Sequence, residues 1–475
     1  YNCNRAENHC FVNPPEFLKG EIMSDSTKKY EINMCEGSIA KKLILFTAPL
    51  IFSGILQLLY NAADIIVVGR FAGKNSLAAV GSTASLINLI TNLFIGLSSG
   101  ISVITARAFG SGNKESVSRA AGTSAALGIV CGMIIMIFGF FTSKRLLLLM
   151  ECPPEVVDLA AIYMKIFFLG SPGNMVYNFA GAILRAMGDT KRPLYYLTAA
   201  GIVNVVLNLV FVIAFKMDVA GVALATIISQ YISAFLVMKC LIKSEKLISR
   251  TNLKIHKTEF LGILKIGLPA GLQGICFSLS NVVIQSSINS FGADVMAGNA
   301  AASSLEGFVY MAMNAFHHGA VTFVGQNFGA GNIKRIKKGI FVIFGLVSIV
   351  GLVLGNGVIL FSTPLLSIYN KEKEVIAMGA LRLVYVASLY FLCGIMDSIV
   401  GVLRGLGHAM VPMIISLFGA CVFRIIWIYT IFAEIRTLEM LLVSYPVSWL
   451  LTAAAQLVYY KIVTKKQYAR ILNNA

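Results

Sequence analysis

The chain of 475 residues is far more apolar than a soluble protein of its size. Hydrophobic residues make up 57% of it and charged residues 13%, whereas about a quarter of the residues in a soluble globular domain are charged. Its apolar runs are about twenty residues long, the length of a membrane-spanning helix. They lack the alternation of apolar and polar residues that is typical of barrel strands. The composition therefore predicts an all-α integral membrane protein.

The net charge of +17 is not spread evenly. Lys and Arg cluster in every second loop between apolar runs, as in Lys243–Lys257 and Lys334–Lys338. This alternation follows the positive-inside rule and predicts that both termini and the Lys243–Lys257 loop are cytoplasmic. No stretch is long enough to fold as a basic soluble domain, so a nucleic-acid partner is not expected.

Neither the cysteines nor the N-terminal residues suggest a separate module. The nine cysteines are scattered, with no CxxC pair and no Cys/His cluster, so no disulfide and no metal site is predicted. The first forty residues are polar and lack the apolar core of a signal peptide. Because Met23 opens a basic, Ser-rich stretch, we expect residues 1–22 to be a dispensable upstream extension.

Apolar runs between Gly, Pro and polar punctuation predict twelve membrane helices. They lie near residues 43–68, 77–108, 120–142, 158–184, 194–215, 219–242, 260–290, 295–326, 338–361, 376–403, 412–433 and 438–463. The polar stretch around residues 244–259 is the only real break in mid-chain. The predicted organisation is an N-terminal tail at 1–40, an N-lobe at 41–243, a cytoplasmic linker at 244–259, a C-lobe at 260–465 and a cytoplasmic tail at 466–475.

Three motifs recur with nearly the same separation, 220 residues for the first (269 − 49) and 219 for the other two. They are Pro49 and Pro269, each placed at the start of a helix, Phe109–Asn113 and Phe328–Asn332, and Leu184–Gly188 and Leu403–Gly407. Six helices per half predict a parallel repeat, two pseudo-symmetric six-helix bundles with a substrate cleft between them. The Phe-Gly-x-Gly-Asn motifs lack the Lys-Ser/Thr of a phosphate loop, so their glycines are predicted to cap helices. With no ATP-binding module in the sequence, any transport would be secondary.

These motifs carry a family resemblance over residues 40–465. The segments concerned are Pro49–Asp64, Gly69–Gly73, Leu77–Gly81, Leu184–Thr190 and Gly325–Asn332. The chain resembles the multidrug and toxic compound extrusion (MATE) family. The resemblance implies a plasma-membrane antiporter that exchanges amphipathic, often cationic drugs for protons or sodium ions by alternating access. It implies no further cofactor, and small molecules and membrane lipid as the only partners of a monomer.

Two other function classes stay open at this stage. A lipid-linked oligosaccharide flippase of the same superfamily would need a cationic groove for pyrophosphate, and few Arg residues are predicted in mid-span. A membrane enzyme or a channel is the other class. It is disfavoured because the sequence has no nucleophile or metal constellation and because a two-lobed repeat does not resemble a simple pore.

Ionisable side chains at bilayer depth are candidates for function. In the N-lobe the resemblance implies that Asp64 binds the coupling cation. Asn204 and Asn208 are four residues apart on one helical face, and Thr226 completes the predicted polar cluster. Some archaeal-type members carry an acid where this chain has Asn208, so a second carboxylate is not expected. The proton is the preferred coupling ion and sodium the alternative. A helix-end role for Asp64 and interhelical hydrogen bonds for the amides are the structural alternatives.

The predicted C-lobe cluster consists of Glu306, Asp397, Arg424, His317 and His318. Asp397 corresponds to a region where the sodium-type subfamily has an acid, but that subfamily's acid in the seventh helix is missing. Arg424 lies in mid-span and needs a counter-ion, so it is predicted to pair with Glu306 or Asp397, for function or for structure alone. The adjacent histidines either titrate or form structural hydrogen bonds.

Five polar residues are predicted to line the substrate cleft: Gln57, Tyr60, Asn61, Asn178 and Gln285.

Overall fold

The computed structural model describes residues 30–150, 152–249 and 252–473, and it builds them almost entirely from helices. The expected upstream extension, residues 1–22, lies outside the described residues. The last helix extends to Asn473, so it includes most of the predicted C-terminal tail, residues 466–475.

In the part of the chain that the structure describes, twelve long helical elements follow one another. In the N-lobe they are α1 Ile39–Phe71, α2 Lys74–Gly110, α3 Lys114–Leu149, α4 Pro154–Leu169 with Ser171–Ala186, α5 Lys191–Ala214 and α6 Asp218–Ser244. In the C-lobe they are α7 Lys257–Asn289, α8 Ala293–Gly329, α9 Ile333–Leu360, α10 Lys373–Ala387 with Tyr390–Gly405, α11 Met410–Glu434 and α12 Leu438–Asn473.

Within the described ranges, nine of these helices are long and apolar enough to cross a membrane, and the bent elements α4 and α10 raise the number to eleven. The bends are 46° in α4 and 44° in α10, at the same place in each half. The twelfth helix, α8, is 37 residues long like its counterpart α2. It is less apolar because it carries many of the polar side chains that face the interior.

The internal repeat is visible in the backbone. Three pairs of glycines, each 219 residues apart, adopt a left-handed φ at equivalent turns. They are Gly73 and Gly292 (94° and 100°), Gly112 and Gly331 (71° and 72°), and Gly188 and Gly407 (95° and 84°). Only glycine adopts this conformation without strain, which confirms the predicted glycine caps. The equivalence confirms two pseudo-symmetric six-helix bundles. Pro49 and Pro269 lie inside α1 and α7, so the prediction that they begin their helices was wrong.

The two lobes meet along α1 and α2 on one side and α7 and α8 on the other. Glycines allow the backbones to touch. A Cβ atom at Gly96 would lie 2.2 Å from the backbone N of Gly271, and one at Gly100 would lie 2.3 Å from the carbonyl oxygen of Ile263. Small residues that permit such close approach are the usual means by which helices associate in a bilayer.

We call the side of the molecule that holds the interlobe stretch, residues 245–256, the linker side, and the other the opposite side. On the linker side the described part of the N-terminal tail packs against α8. The backbone N–H of Met34 donates to Gln326 Oε1 at 2.8 Å, and its carbonyl accepts from Asn327 Nδ2 at 3.1 Å and from Arg335 Nε at 3.0 Å. Met34 itself is fully buried. Residues 30–38 are therefore part of the packed structure.

A buried acidic cluster lies where the same segment meets the N-lobe, with the Arg192 guanidinium 5.3 Å from the centroid of the Tyr30 ring. The Arg192 guanidinium donates to the carboxylate of Asp189 and forms an ion pair with Glu245 at 2.5 Å. Asp189 and Glu245 are almost completely buried. Burial, together with the neighbouring Glu245 carboxylate, raises the pKa of Glu31 to about 7. Three carboxyl groups thus share one arginine.

Candidate functional site

A cavity of about 800 Å³ lies between the lobes. The N-lobe contributes α1, α2, α4 and the start of α5, and the C-lobe contributes α7, α8, α10, α11 and α12. Three of the predicted cleft residues line this cavity, namely Gln57, Asn178 and Gln285. The cavity therefore occupies the position that the parallel repeat predicts for the substrate.

Tyr60 and Asn61 are not among the lining residues. The Tyr60 ring packs against α5, where a Cβ atom at Gly201 would lie 2.0 Å from it, and its hydroxyl donates to the carbonyl of Thr198 at 3.4 Å. Asn61 lies one turn closer to the opposite side than Gln57 and is exposed. The prediction placed these two residues in the cleft because of their polarity, whereas the packing between α1 and α5 turns Tyr60 into an interhelical contact.

The cavity is closed on the linker side by direct contacts between the lobes. Arg107 at the end of α2 donates through Nε and Nη2 to the carbonyl of Gly405 at 3.1 and 2.9 Å, and Gln326 donates to the carbonyl of Ala186 at 2.8 Å. The ends of α2 and α8 also cross so closely that a Cβ atom at Gly110 would lie 1.9 Å from the carbonyl oxygen of Gln326.

Toward the opposite side, by contrast, the lining residues are exposed. Gln57, Asn281, Gln285 and Ser303 all have solvent-accessible side chains, whereas His317 at the inner end of the cavity is 7% exposed. The structure thus represents one state of the transporter-like fold, in which the cavity opens on the side away from the linker.

The four predicted cation-coupling residues come together inside the N-lobe, away from the cavity. Asn208 Nδ2 donates to Asp64 Oδ1, and Thr226 Oγ1 lies 3.5 Å from Asp64 Oδ2. Asn204 Nδ2 lies 3.4 Å from the Thr226 hydroxyl, and its Oδ1 is 3.4 Å from Asn208 Nδ2. Three helices, α1, α5 and α6, each supply part of this cluster. Among the described residues no Lys or Arg forms an ion pair with Asp64.

The C-lobe charges line the cavity, but their pairing differs from the prediction. Glu306 pairs with Arg382, through Nε to Oε1 at 2.9 Å and Nη2 to Oε2 at 2.7 Å. Asn299 completes the arrangement by accepting from Arg382 Nη1 at 2.6 Å. Both members of the ion pair are buried, at 5% and 6% exposure. The bidentate geometry is the strongest form of an Arg–carboxylate interaction.

Arg424 does not form the predicted ion pair with Glu306 or Asp397. Its Nε donates to Ser448 Oγ at 2.8 Å, and its guanidinium lies over the rings of Tyr445 and Trp449, 4.4 and 5.8 Å from their centroids. The register between α11 and α12 decides this outcome, because it places two aromatic rings where a counter-ion was expected.

His317 connects α8 to α10. Its Nδ1 is 2.7 Å from the backbone carbonyl of Asp397, which can only accept, so Nδ1 carries the proton. Nε2 then faces Arg404 Nη1 at 3.4 Å as an acceptor. Arg404 also donates to Gln273 Oε1 at 2.7 Å. These contacts favour the hydrogen-bonded structural role for His317. The ring of His318 packs edge-on against it, with centroids 5.5 Å apart, and both histidines line the cavity.

The cavity residues that the sequence reasoning missed include two equivalent arginines. Arg185 and Arg404 both line the cavity near the linker side, at equivalent positions near the ends of α4 and α10. The signal was available, since both belong to the repeated Leu-Arg-x-x-Gly motif, but the motif had been used only to establish the repeat.

Comparison with known proteins agrees with this architecture. The MatE family model matches residues 49–210 and 269–430, one segment in each lobe and 220 residues apart. A probable multidrug resistance protein of Bacillus subtilis, YoeA, is 28% identical over 453 residues, covering 92% of this chain and 96% of its own length. The probable multidrug resistance protein NorM of Thermotoga maritima is 26% identical, covering 80% and 82%.

A solved structure shows the same fold. It is that of a MOP superfamily transporter from Pyrococcus furiosus, for which a reversed polarity of the binding pocket was taken to suggest a different function. It superposes with a TM-score of 0.86 at 20% identity, covering 94% of this chain and 99% of that one. With two matched lobes, twelve helices and a central cavity, the chain belongs to the MATE family of multidrug efflux transporters.

Proposed function

We propose that this protein is a secondary antiporter of the plasma membrane, which exports small molecules in exchange for protons that bind to Asp64. The observation that carries the proposal is the environment of Asp64. The carboxylate lies inside the N-lobe, its hydrogen-bond partners among the described residues are the neutral side chains of Asn208 and Thr226, and it is separate from the substrate cavity. A carboxylate without a cationic partner in such surroundings is able to bind and release a cation.

The ligand set favours a proton over sodium. Sodium binding would need several oxygen ligands directed at one point, which more than one acid would favour, whereas the cluster of Asp64, Asn204, Asn208 and Thr226 contains a single carboxylate. Protonation turns one carboxylate oxygen into a donor, which then needs an acceptor. The Asn208 Oδ1 atom is buried and has no hydrogen-bond partner, so rotation of this amide would supply that acceptor. Asp64 thus has a suitable partner in both its charged and its protonated state.

The orientation follows from charge. The basic loops lie on the linker side, and the positive-inside rule makes this side cytoplasmic. The cavity then opens outward in this structure, and alternating access requires the contacts of Arg107, Gln326 and residues 30–38 on the linker side to separate. Proton binding at Asp64 would bias this exchange, because the cluster joins α1 to α5 and α6.

The test uses proteoliposomes in which proton and sodium gradients are imposed separately, with transport of a fluorescent substrate as the readout. We expect uptake or efflux to follow the proton gradient in the absence of sodium. Asp64→Asn mimics the protonated state and should reduce gradient-driven transport by at least about tenfold while substrate binding persists. Asp294→Asn, an exposed carboxylate at the start of α8, is the matched control and should leave transport unchanged.

Continued pumping by the Asp64→Asn protein would refute the assignment and would shift it to Asp397 or Glu306. Transport that requires a sodium gradient would refute proton coupling but leave the site in place.

A flippase remains the second candidate, and one observation favours it. The argument against it was a scarcity of Arg residues in mid-span, yet four arginines line the cavity. A cationic groove of this kind suits the pyrophosphate of a lipid-linked oligosaccharide. Dithionite quenching of a fluorescent polyprenyl-diphosphate sugar in proteoliposomes tests this candidate directly. Complete quenching in the presence of the protein, against about half in its absence, would establish flipping.

A further inference from the structure

The cavity between the lobes carries an excess of positive charge. Its ionisable lining residues, apart from the histidines and tyrosines, are Arg185, Arg382, Arg404, Arg424, Glu306 and Asp397. With four arginines and two carboxylates the formal charge is 4 − 2 = +2. Amphipathic cations, which the family resemblance implies as substrates, would enter a cavity of like charge.

Among the described residues, one of the four arginines forms a close ion pair with a carboxylate. Arg382 forms the bidentate pair with Glu306, which leaves three guanidinium groups and one carboxylate. Within the described parts of the chain, neither Arg185, Arg404 nor Arg424 forms an ion pair. The Nε atoms of Arg185 and Arg404 are buried without any hydrogen-bond partner.

Arg424 is the least exposed of these arginines. Its residue is 3% exposed, and the hydrogen bond to Ser448 uses only Nε. The guanidinium lies over the rings of Tyr445 and Trp449, beside the aromatic side chains that line the cavity. A buried charge without a counter-ion is unfavourable, and an anion that enters the cavity would relieve this penalty at the site where it binds.

Aromatic rings surround the same part of the cavity. Tyr310, Tyr390, Tyr445 and Trp449 all line it. An aromatic ligand could stack against these rings while its anionic group reaches the guanidinium of Arg424. The cavity volume of about 800 Å³ is within the range of pockets that hold drug-sized ligands.

We infer that the substrate of this cavity is a water-soluble organic anion with an aromatic ring, whose carboxylate or phosphate group is bound by Arg424 and attracted by Arg404 and Arg185. The inference rests on the proposed function, since it identifies the chemical class of the molecule that the transporter moves. It makes Arg424 a specificity-determining residue, because its charge distinguishes anionic from cationic ligands of the same shape.

The experiment uses two dyes that share the xanthene ring system but differ in charge, 5-carboxyfluorescein and rhodamine 123. Binding to the purified full chain in detergent micelles is measured by fluorescence anisotropy. We expect carboxyfluorescein to bind at least about tenfold more tightly than rhodamine 123. Arg424→Gln should weaken carboxyfluorescein binding by about tenfold or more and leave rhodamine binding unchanged or stronger.

Arg436→Gln is the matched control, because Arg436 is exposed before α12, and it should affect neither dye. If the Arg424→Gln protein does not fold, as judged by gel filtration, Arg185→Gln takes its place, because Arg185 is only partly buried. Preferential binding of rhodamine, binding of neither dye, or carboxyfluorescein affinity that is unchanged in a folded Arg variant would each overturn the inference.

Two further measurements separate this inference from its alternatives. Gradient-driven transport of rhodamine with poor carboxyfluorescein binding would overturn the inference and leave the antiporter proposal intact. Carboxyfluorescein binding that Arg424→Gln weakens and Arg436→Gln does not, in a protein without gradient-driven transport, would support the inference and refute the antiporter. Displacement of carboxyfluorescein by polyprenyl diphosphate at far lower concentration than by inorganic pyrophosphate would assign the anion site to a lipid headgroup and overturn the water-soluble substrate.

Discussion

Removing one partner of the Glu306–Arg382 pair should destabilise the C-lobe far more than removing both. The pair is almost fully buried and is joined by hydrogen bonds of 2.9 and 2.7 Å. Arg382→Gln leaves a buried carboxylate without a counter-ion, and the loss of one member of such a pair costs about 3–5 kcal/mol of unfolding free energy. Glu306→Gln leaves Arg382 buried beside the neutral Asn299 and should have a similar effect.

The double variant contains two neutral amides that are able to hydrogen-bond to each other. Its loss of stability should be at least about 2 kcal/mol smaller than the sum of the two single losses. Unfolding in mixed micelles at increasing SDS concentration provides the free energies. The exposed pair Lys144–Asp158, whose atoms lie 2.7 Å apart, serves as the control and should contribute about 1 kcal/mol or less. Strictly additive losses at Glu306 and Arg382 would refute the assigned interaction.

Two further predictions concern the linker side. Because burial raises the pKa of Glu31 from 4.5 to about 7, the folded state binds this proton more tightly than the unfolded state does. Stability should therefore fall as the pH rises from 4.5 to 7, and Glu31→Gln should remove that fall. Because Glu31 is only partly buried and solvent screens its charge, the difference should be at most about 2 kcal/mol at pH 8 and absent below pH 4.5. Thermal unfolding of this variant and of Glu36→Gln across the pH range measures the difference, and parallel pH profiles would contradict the prediction. Gly110→Val should prevent closure of the linker side, because an added Cβ atom would lie 1.9 Å from the carbonyl oxygen of Gln326. Cytoplasmic labelling of a cysteine placed in the cavity should rise in this variant but not in Gly345→Ala, which has open space; equal labelling would show that the contact does not close the cavity.

The general architecture could be predicted because its signals are local. Helix length, the positions of charged loops and the spacing of Gly motifs do not depend on which helices touch. The Asp64 cluster could also be predicted, because Asn204 and Asn208 necessarily share one face of α5 and the family resemblance pointed to Asp64. Its assembly then required only that α1 and α6 lie beside α5.

The pairing of the C-lobe charges could not be predicted in this way. Glu306, Arg382 and Arg424 are on three different helices, and the linear sequence does not show which of the two arginines packs against the carboxylate. Arg382 comes immediately before a π-helical turn, Leu383–Ala387, which shifts the register of the residues that follow it. The aromatic support of Arg424 likewise depends on the depth at which α12 packs against α11. Long-range register of this kind is determined by packing, which the linear pattern does not report.

The low hydrophobicity of α8 has a consequence for how the chain is inserted into the membrane. A segment that leaves the translocon on its own enters the bilayer only if its hydrophobicity outweighs its polar groups, and α8 buries Glu306, His317 and several amides. We therefore expect this segment to be retained near the insertion machinery until α7 and α10 provide partners for those groups. In the C-lobe, membrane insertion and assembly of the site would then be one biosynthetic step, and a substitution such as Arg382→Gln would reduce the yield of inserted protein before it affected transport.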